Sequence, residues 1–227
     1  MNLVIFDCDG TLVDSQNGIV AAMERAFGAE GLGAPARTAV LGVVGLSLPE
    51  AFERLAADQA PSVRSRLAAH YRTAAAFVRA MPEHGDPLYD GAAETIAALA
   101  ARDDVLLGIA TGKSRRGVDR LLARHGWERS FVTIQTADAN PSKPHPAMIE
   151  RACAEAGVPP DAAVMVGDTA FDMAMAVNAG VGAIGVAWGY HPVAELEKSG
   201  AHVVVAAYSE LQPAIDARLA EQREARP

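Results

Sequence analysis

The amino-acid sequence predicts an α/β fold, in which a parallel sheet is covered by helices on both faces and carries an inserted all-helical segment. From about residue 87 onward, short β-branched runs alternate with longer alanine-rich amphipathic stretches, which is typical of βαβ units. Between the first apolar run and residue 83, the sequence shows only helical periodicity. That stretch is too long for an ordinary crossover, and it therefore predicts an insertion.

Six short apolar segments are predicted to form the strands, and five amphipathic segments to form the helices between them. The strands are expected at residues 3–6, 105–110, 131–134, 163–166, 182–186 and 203–205. The helices are expected at residues 92–101, 115–125, 146–156, 171–179 and 210–224. Inside the insertion, Ile19, Met23 and Phe27 recur at four-residue spacing, as on one face of a helix.

These patterns divide the chain into two parts. Residues 1–15 and 84–227 are predicted to form the core, and residues 16–83 a helical cap. Proline, glycine and charged residues at 82–87 indicate a hinge or linker between them, and the final residues, 221–227, are expected to be a solvated end.

Composition limits the classes of partner. The chain has 227 residues, 50% of them apolar and 21% charged, which suits either one compact domain or a domain that carries a smaller inserted one. Cys8 and Cys153 lie in apolar segments and are expected to be buried free thiols, which favours a reducing cytoplasm. A net charge of −8 gives no basic face for nucleic acid or an anionic membrane, so we expect a small-molecule partner and a monomer or homodimer. Acidic residues inside the amino-terminal apolar run predict a strand there, not a leader or an anchor.

Two carboxylates follow the first predicted strand. In a parallel sheet, ligands bind beyond the carboxyl ends of the strands, so polar residues there are candidates for a site. Asp7 and Asp9 are two positions apart and point to the same side, whereas Cys8 points to the other. Two converging carboxylates repel unless they share a proton or bind a cation.

Three further strand ends add polar groups to the same rim. Thr111 and Gly112 can donate hydrogen bonds to phosphate oxygens, and Lys143 is a cation at a helix entrance. Asp168 follows the fourth strand, and Asp172 lies one helical turn further on. Each residue alone has an ordinary structural interpretation as a cap, a turn or a solvated side chain. Their joint occurrence, in order and at successive strand ends, predicts a catalytic site.

The sequence resembles the haloacid dehalogenase-like hydrolases. The matching segments are DCDGTLVDS at residues 7–15, ATGKS at 110–114, SKPHP at 142–146 and MVGDTAFDMAMAVNAG at 165–180. They occur in the order of the family's motifs and span nearly the whole core. The resemblance implies a Rossmann-like sheet, a helical cap inserted after the first motif and aspartyl-phosphate chemistry.

The same resemblance implies a role for each residue. Asp7 would be the covalent nucleophile, and Asp9 would donate a proton to the leaving group and then take one from water. Thr111 and Lys143 would bind the transferring phosphoryl group, assisted by the backbone amides of Gly10 and Gly112. The ligands of Mg²⁺ would be Asp7, the backbone carbonyl of Asp9 and Asp168, with Asp172 in support through a water or by holding Lys143.

Single positions separate the activities known in this family. Asp9 argues against the dehalogenases and the phosphonoacetaldehyde hydrolases, which lack an acid there. Sugar phosphate mutases keep both aspartates, but Leu48 stands where their cap is expected to carry arginine. The segments at 45–52, 110–117 and 88–91 resemble the phosphoglycolate phosphatase-like subfamily, with Asp90 in the place of its common proline.

Substrate identity is left open at this level. A phosphoglycolate-like ester is the leading prediction, with a mutase activity or a non-catalytic binding or regulatory module as alternatives. The basic cap residues that are candidates for contact with a leaving group cannot be ranked from the sequence. They are Arg37, Arg54, Arg64, Arg66, His70 and Arg72.

Overall fold

A six-stranded parallel sheet forms the centre of the molecule in the computed structural model, which describes residues 1–78, 81 and 86–224. Its strands are β1 Asn2–Phe6, β2 Val105–Thr111, β3 Phe131–Thr136, β4 Ala163–Gly167, β5 Gly182–Val186 and β6 Val203–Val205. They lie in the order β3-β2-β1-β4-β5-β6, and every neighbouring pair is parallel. The chain changes direction across the sheet at β1, so a crevice opens beyond the ends of β2, β1 and β4.

Helices cover both faces of this sheet. Those of the core are α5 Ala92–Ala100, α6 Arg115–His125, α7 Ala147–Ala156, α8 Ala170–Ala179, α9 Val193–Lys198 and α10 Tyr208–Glu224. Alternate residues of β1 enter two different apolar clusters. Val4 and Phe6 pack with residues of α5, α6 and α10, whereas Leu3 and Ile5 pack with residues of α7, α8 and α9. The predicted α/β class is confirmed.

The described residues between β1 and α5 form four helices, namely α1 Gln16–Ala29, α2 Arg37–Leu41, α3 Leu48–Leu55 and α4 Pro61–Val78. They share a separate apolar cluster that includes Phe27, Phe52 and Leu67. The described residues 16–78 contain no strand, as predicted for an all-helical insertion. The exact division of the chain at residues 83 and 84 falls outside the described residues, as do most of the predicted linker and the last three residues.

Two strands extend beyond their predicted bounds through polar residues. β2 and β3 continue to Thr111 and Thr136 because these two residues remain paired in the backbone ladder despite their polar side chains. The short helix α9 was not predicted, since only Leu196 of its six residues is buried and no periodicity is visible. Across the described residues, no helix is both long and apolar enough to cross a lipid bilayer.

Candidate active site

The strand ends bring the predicted polar residues together at the crevice. Asp7 and Asp168 directly follow β1 and β4, and Thr111 is the last residue of β2. All three are buried. Lys143, in the connection between β3 and α7, is also completely buried, so its interpretation as a solvated surface lysine is wrong.

Lys143 lies between two carboxylates. Its Nζ atom is 3.1 Å from Oδ1 of Asp7 and 2.6 Å from Oδ1 of Asp172. Burial raises the pKa of Asp7 to about 6, while Lys143 and the Thr111 hydroxyl act in the opposite direction. Burial alone would lower the pKa of Lys143, but Asp172 and Asp7 raise it overall, so the lysine stays charged.

Asp172 is buried at the start of α8 and both its oxygens accept hydrogen bonds. Oδ1 accepts from Lys143, and Oδ2 accepts from the backbone N–H and the hydroxyl of Thr169, at 3.0 and 2.6 Å. Thr169 is the N-cap of α8 and forms a capping box with Asp172. Asp168 is therefore not the cap residue, and Asp172 is not an exposed side chain.

Asp168 is held from two sides in a crowded position. Its Oδ1 accepts from the Thr11 hydroxyl at 2.9 Å, and its Oδ2 accepts from the backbone N–H of Tyr190 at 2.8 Å. Gly10, with φ of 84°, and Gly189 leave the space that the carboxylate needs, because a Cβ at either position would lie 2.2 or 2.1 Å from an atom of Asp168. Burial and the charges of Asp172 and Asp7 raise the pKa of Asp168.

These carboxylates suit a hard cation. One oxygen from each of Asp7, Asp168 and Asp172 lies within 4.8 Å of the others. If all three carboxylates are ionised, they carry three negative charges. Among the described residues, the cation paired with this group is Lys143, so two negative charges are left without a counter-charge. Neither oxygen of Asp7 accepts a well-aligned hydrogen bond from the described residues, although both are buried. A divalent ion with oxygen ligands fits this excess of negative charge and the geometry of the Asp7 oxygens.

Asp9 lies beside this cluster and has different neighbours. Its Oδ1 accepts hydrogen bonds from the Ser15 hydroxyl at 2.6 Å and from Nζ of Lys113 at 2.5 Å. Nζ of Lys113 is also 3.4 Å from Oδ2 of Asp86, which lies in the predicted linker. Burial alone would lower the pKa of Lys113, but Asp9 and Asp86 raise it overall. The side chain of Asp9 is thus close to Asp7 in the chain but is held by a separate set of polar groups.

Sequence reasoning missed Lys113, Asp86 and Tyr190 as parts of the site. Tyr190 could have been found by extending the strand-end rule to β5, because it follows that strand by four residues. Lys113 directly follows two predicted phosphate-binding residues, but its position resembled an ordinary helix start. Asp86 gave no signal, because only the fold brings the segment that follows the insertion next to Asp9.

A cavity of about 390 Å³ opens from this cluster toward the helical insertion. Its core side contains Asp7, Asp9, Thr111 and Lys113. The insertion contributes mostly apolar side chains, among them Ile19, Met23, Val40, Val44 and Leu48. The cavity is large enough for a metabolite, and its two sides differ sharply in polarity.

The insertion touches the core directly above the strand ends. The backbone N–H of Ser47 donates to the hydroxyl of Ser142 at 2.8 Å, next to Lys143. A Cβ on Gly112 would lie 2.6 Å from the carbonyl oxygen of Gly45. The backbone segments that contain these two residues are therefore so close that position 112 requires glycine.

The basic cap candidates have different surroundings. Arg72 lines the cavity. Arg66 and His70 contact Glu30 at 2.8 and 3.0 Å. Arg37 donates to Gln16 and Asn17, and Arg54 lies over the ring of Phe171, 4.8 Å from its centre.

Comparison with known proteins agrees with this geometry. A family model described as haloacid dehalogenase-like hydrolase matches residues 4–186. The protein named "Probable phosphatase IndB" of Dickeya dadantii is 35% identical over 96% of this chain and 94% of its own length. "Phosphoglycolate phosphatase" of Rhodospirillum rubrum is 34% identical over 85% of this chain and 83% of its own length. A solved structure of a hydrolase from Pseudomonas syringae is 25% identical, covers 96% of this chain and 99% of its own, and superposes with a TM-score of 0.83.

Proposed function

Because the chain belongs to the haloacid dehalogenase-like hydrolases and is a phosphatase, we propose that it is a magnesium-dependent phosphomonoesterase that acts through an aspartyl-phosphate on Asp7. The observation that carries the proposal is the buried group of Asp7, Lys143, Asp168 and Asp172 at the strand ends. Such a group supplies a nucleophile, a cation for the phosphoryl oxygens and ligands for a metal ion.

Asp7 is the nucleophile in this proposal. A carboxylate oxygen attacks phosphorus, the bond from phosphorus to the ester oxygen breaks, and the phosphoryl group is transferred to Asp7. Lys143, 3.1 Å from Oδ1 of Asp7, keeps the carboxylate ionised and bears a charge that the phosphoryl oxygens can approach. The Thr111 hydroxyl and the backbone amides of Gly10 and Gly112 complete the phosphoryl-binding group.

Asp9 is the general acid and base. It donates a proton to the leaving alkoxide, and then takes a proton from the water that attacks the aspartyl-phosphate. A single residue can serve both steps because the first step leaves it as the carboxylate that the second requires. Hydrolysis of the intermediate releases inorganic phosphate and restores Asp7.

Asp7, the backbone carbonyl of Asp9 and Asp168 would hold Mg²⁺, with Asp172 in support through Lys143. When bound, the ion offsets the repulsion between the carboxylates and the anionic substrate. The fixed contacts of Asp168 with Thr11 and Tyr190 support this role, since they orient its carboxylate toward the cluster.

Phosphoglycolate, a small acidic phosphomonoester, is the first substrate to test, because relatives that share about a third of the residues carry its name. Hydrolysis is favoured over a mutase reaction, in which a phosphoryl group moves between two positions of a sugar. The reason is that Leu48 lines the cavity at the position where a mutase is expected to carry arginine. An aliphatic side chain there cannot bind the second anionic group of a sugar bisphosphate.

Turnover tests this proposal directly. The purified protein with Mg²⁺ is expected to release phosphate from a chromogenic phosphate ester and from at least one member of a panel of phosphorylated metabolites that includes phosphoglycolate. A mutase would convert one sugar phosphate into its isomer without releasing phosphate. A binding or regulatory module would turn over none of the panel.

Arg72 gives a prediction about substrate choice. Because Arg72 lines the cavity while Arg66 contacts Glu30, we expect Arg72→Ala to lower kcat/KM about tenfold for an acidic ester such as phosphoglycolate. The same change should leave turnover of acetyl phosphate within about twofold, since the core performs the chemistry.

Arg66→Ala is the matched control, because it removes the same charge from the same helix outside the cavity. Steady-state kinetics with both substrates decides the matter. If Arg72→Ala slows both substrates equally, or if Arg66→Ala has the same selective effect, the insertion does not read the leaving group through Arg72.

We further propose a reducing, cytoplasmic location, action as a monomer or homodimer, and no nucleic-acid or membrane partner. Both cysteines are buried and unpaired, which suits a reducing compartment. The net charge of −8 supports a small-molecule partner.

A further inference from the structure

We infer that Lys113 is a positioning residue, which holds the carboxyl group of Asp9 in the orientation for proton transfer to the leaving group, with Asp86 as its second partner. The inference rests on the proposed function, because it assumes that Asp9 is the general acid. It concerns a residue that neither binds the phosphoryl group nor holds the metal.

Lys113 contacts Asp9 in a nearly closed environment. Its Nζ atom is 2.5 Å from Oδ1 of Asp9 and 3.4 Å from Oδ2 of Asp86. Side-chain exposure is 8% for Lys113, 13% for Asp9 and 15% for Asp86, so water screens these charges only weakly. An ion pair shielded in this way orients its partners more firmly than a surface pair does.

The surrounding chain is shaped for this lysine. A Cβ on Gly117 would lie 2.9 Å from Cγ of Lys113 and within 3.4 Å of its Cε, so the side chain runs across a position of α6 that has no side chain. The backbone N–H of Lys113 donates to the Thr111 hydroxyl at 3.2 Å. The lysine is therefore fixed at its backbone and along its length as well as at its ammonium.

Asp9 receives two hydrogen bonds on the same oxygen. Oδ1 accepts from Lys113 and, at 2.6 Å, from Ser15, whose hydroxyl is 3.2 Å from that of Tyr190. Two donors on one carboxylate oxygen fix the rotation of the carboxylate. Proton transfer depends steeply on such placement, because the acid must lie within hydrogen-bond reach of the leaving oxygen.

Lys113 and Lys143 therefore have separate tasks. Nζ of Lys143 is 3.1 Å from Oδ1 of Asp7, the residue that receives the phosphoryl group. Lys113 pairs instead with Asp9 and Asp86. Loss of Lys113 should thus affect protonation of the leaving group and not phosphate binding.

Lys113→Met tests the inference, because methionine matches the lysine side chain as far as Cε and lacks the charged ammonium group. The readout is kcat/KM, which reports the steps through transfer to Asp7, for an alkyl phosphate and for 4-nitrophenyl phosphate. An alkoxide needs the proton from Asp9, whereas nitrophenolate leaves without one. We expect the variant to lose at least about tenfold more activity toward the alkyl ester than toward the aryl ester.

Inhibition by inorganic phosphate separates positioning from binding. The inhibition constant should stay within about twofold of the wild-type value in Lys113→Met, because Lys143 remains. Lys113→Arg should restore part of the alkyl-ester activity. Lys198→Met, which removes an exposed lysine on α9, should behave as wild type.

Gly117→Ala offers a second route should Lys113→Met fold poorly. The added methyl group displaces Lys113 without removing its charge, and the same selective loss is expected. Equal losses for both esters, or phosphate inhibition that weakens in parallel with turnover, would overturn the inference. If the wild-type protein hydrolyses neither ester with Mg²⁺, the proposed function itself is what fails.

Discussion

Asp7→Asn is expected to reduce turnover of every phosphate ester about 10³-fold or more, because an amide cannot form the aspartyl-phosphate. The substitution keeps the size of the side chain at a fully buried position, so the fold should persist. Steady-state assays of wild type and variant, purified in parallel, measure the loss. A matched Asp119→Asn variant, which alters an exposed carboxylate on α6, should retain full activity. Turnover by Asp7→Asn within about tenfold of wild type would contradict the covalent mechanism.

In metal-free protein, the pH dependence of stability provides an independent test of the environment of Asp7. The pKa of Asp7 is raised from 3.8 to about 6, so the folded state holds this proton more tightly than the unfolded chain does. The contribution of Asp7 to stability therefore falls as the pH rises through this window, and its cost is complete above it. Asp7→Asn lacks that cost.

Thermal unfolding in excess chelator tests whether ionised Asp7 destabilises the folded state. We expect the melting temperature of Asp7→Asn to equal or exceed that of wild type near neutral pH, and the difference to shrink as the pH falls below about 5. A variant that is less stable at neutral pH, with a gap that does not change with pH, would show that Asp7 is not destabilised by its burial.

Removal of divalent metal is expected to abolish activity, and addition of Mg²⁺ to restore it. The reason is the excess of negative charge among Asp7, Asp168 and Asp172, which Lys143 alone does not neutralise. Oxygen ligands favour a hard cation over Zn²⁺. Full turnover in excess chelator would contradict this part of the proposal.

Asp168→Asn should raise the concentration of Mg²⁺ needed for half-maximal activity by about tenfold or more, because one charged ligand is lost. Asparagine keeps an oxygen that can accept from Thr11, so the local structure is little disturbed. Titration of activity with Mg²⁺ measures the shift. An unchanged requirement would show that Asp168 is not a ligand.

The sequence predicted the core of the fold because the relevant signals are local. The strands of the sheet are short apolar runs, and covering both faces requires apolar residues at consecutive positions such as Leu3 and Val4. Parallel strands place their carboxyl ends at one edge of the sheet, so the sequence alone predicts that Asp7, Thr111 and Asp168 lie together.

Contacts that depend on packing between distant segments could not be predicted in the same way. The pairing of Lys113 with Asp86 depends on where the chain returns from the insertion to the core. Lysine and aspartate are also common on protein surfaces, so neither residue type alone indicates a buried contact. Tyr190 reaches Ser15 and Asp168 from the loop after β5, at a separation of more than twenty residues. Arg66 and Arg72 are equivalent in sequence, and only the helix orientation turns one toward Glu30 and the other toward the cavity.

Detection of the phosphorylated enzyme tests the central claim most directly. Wild-type protein mixed with Mg²⁺ and a chromogenic ester, then quenched in acid during steady turnover, should carry one phosphoryl group on the peptide that contains Asp7. Hydroxylamine should remove it, as expected for an acyl phosphate, and Asp7→Asn should never acquire it. A phosphoryl group on another residue, or none on Asp7 in a quench that captures other acyl phosphates while turnover proceeds, would contradict the account.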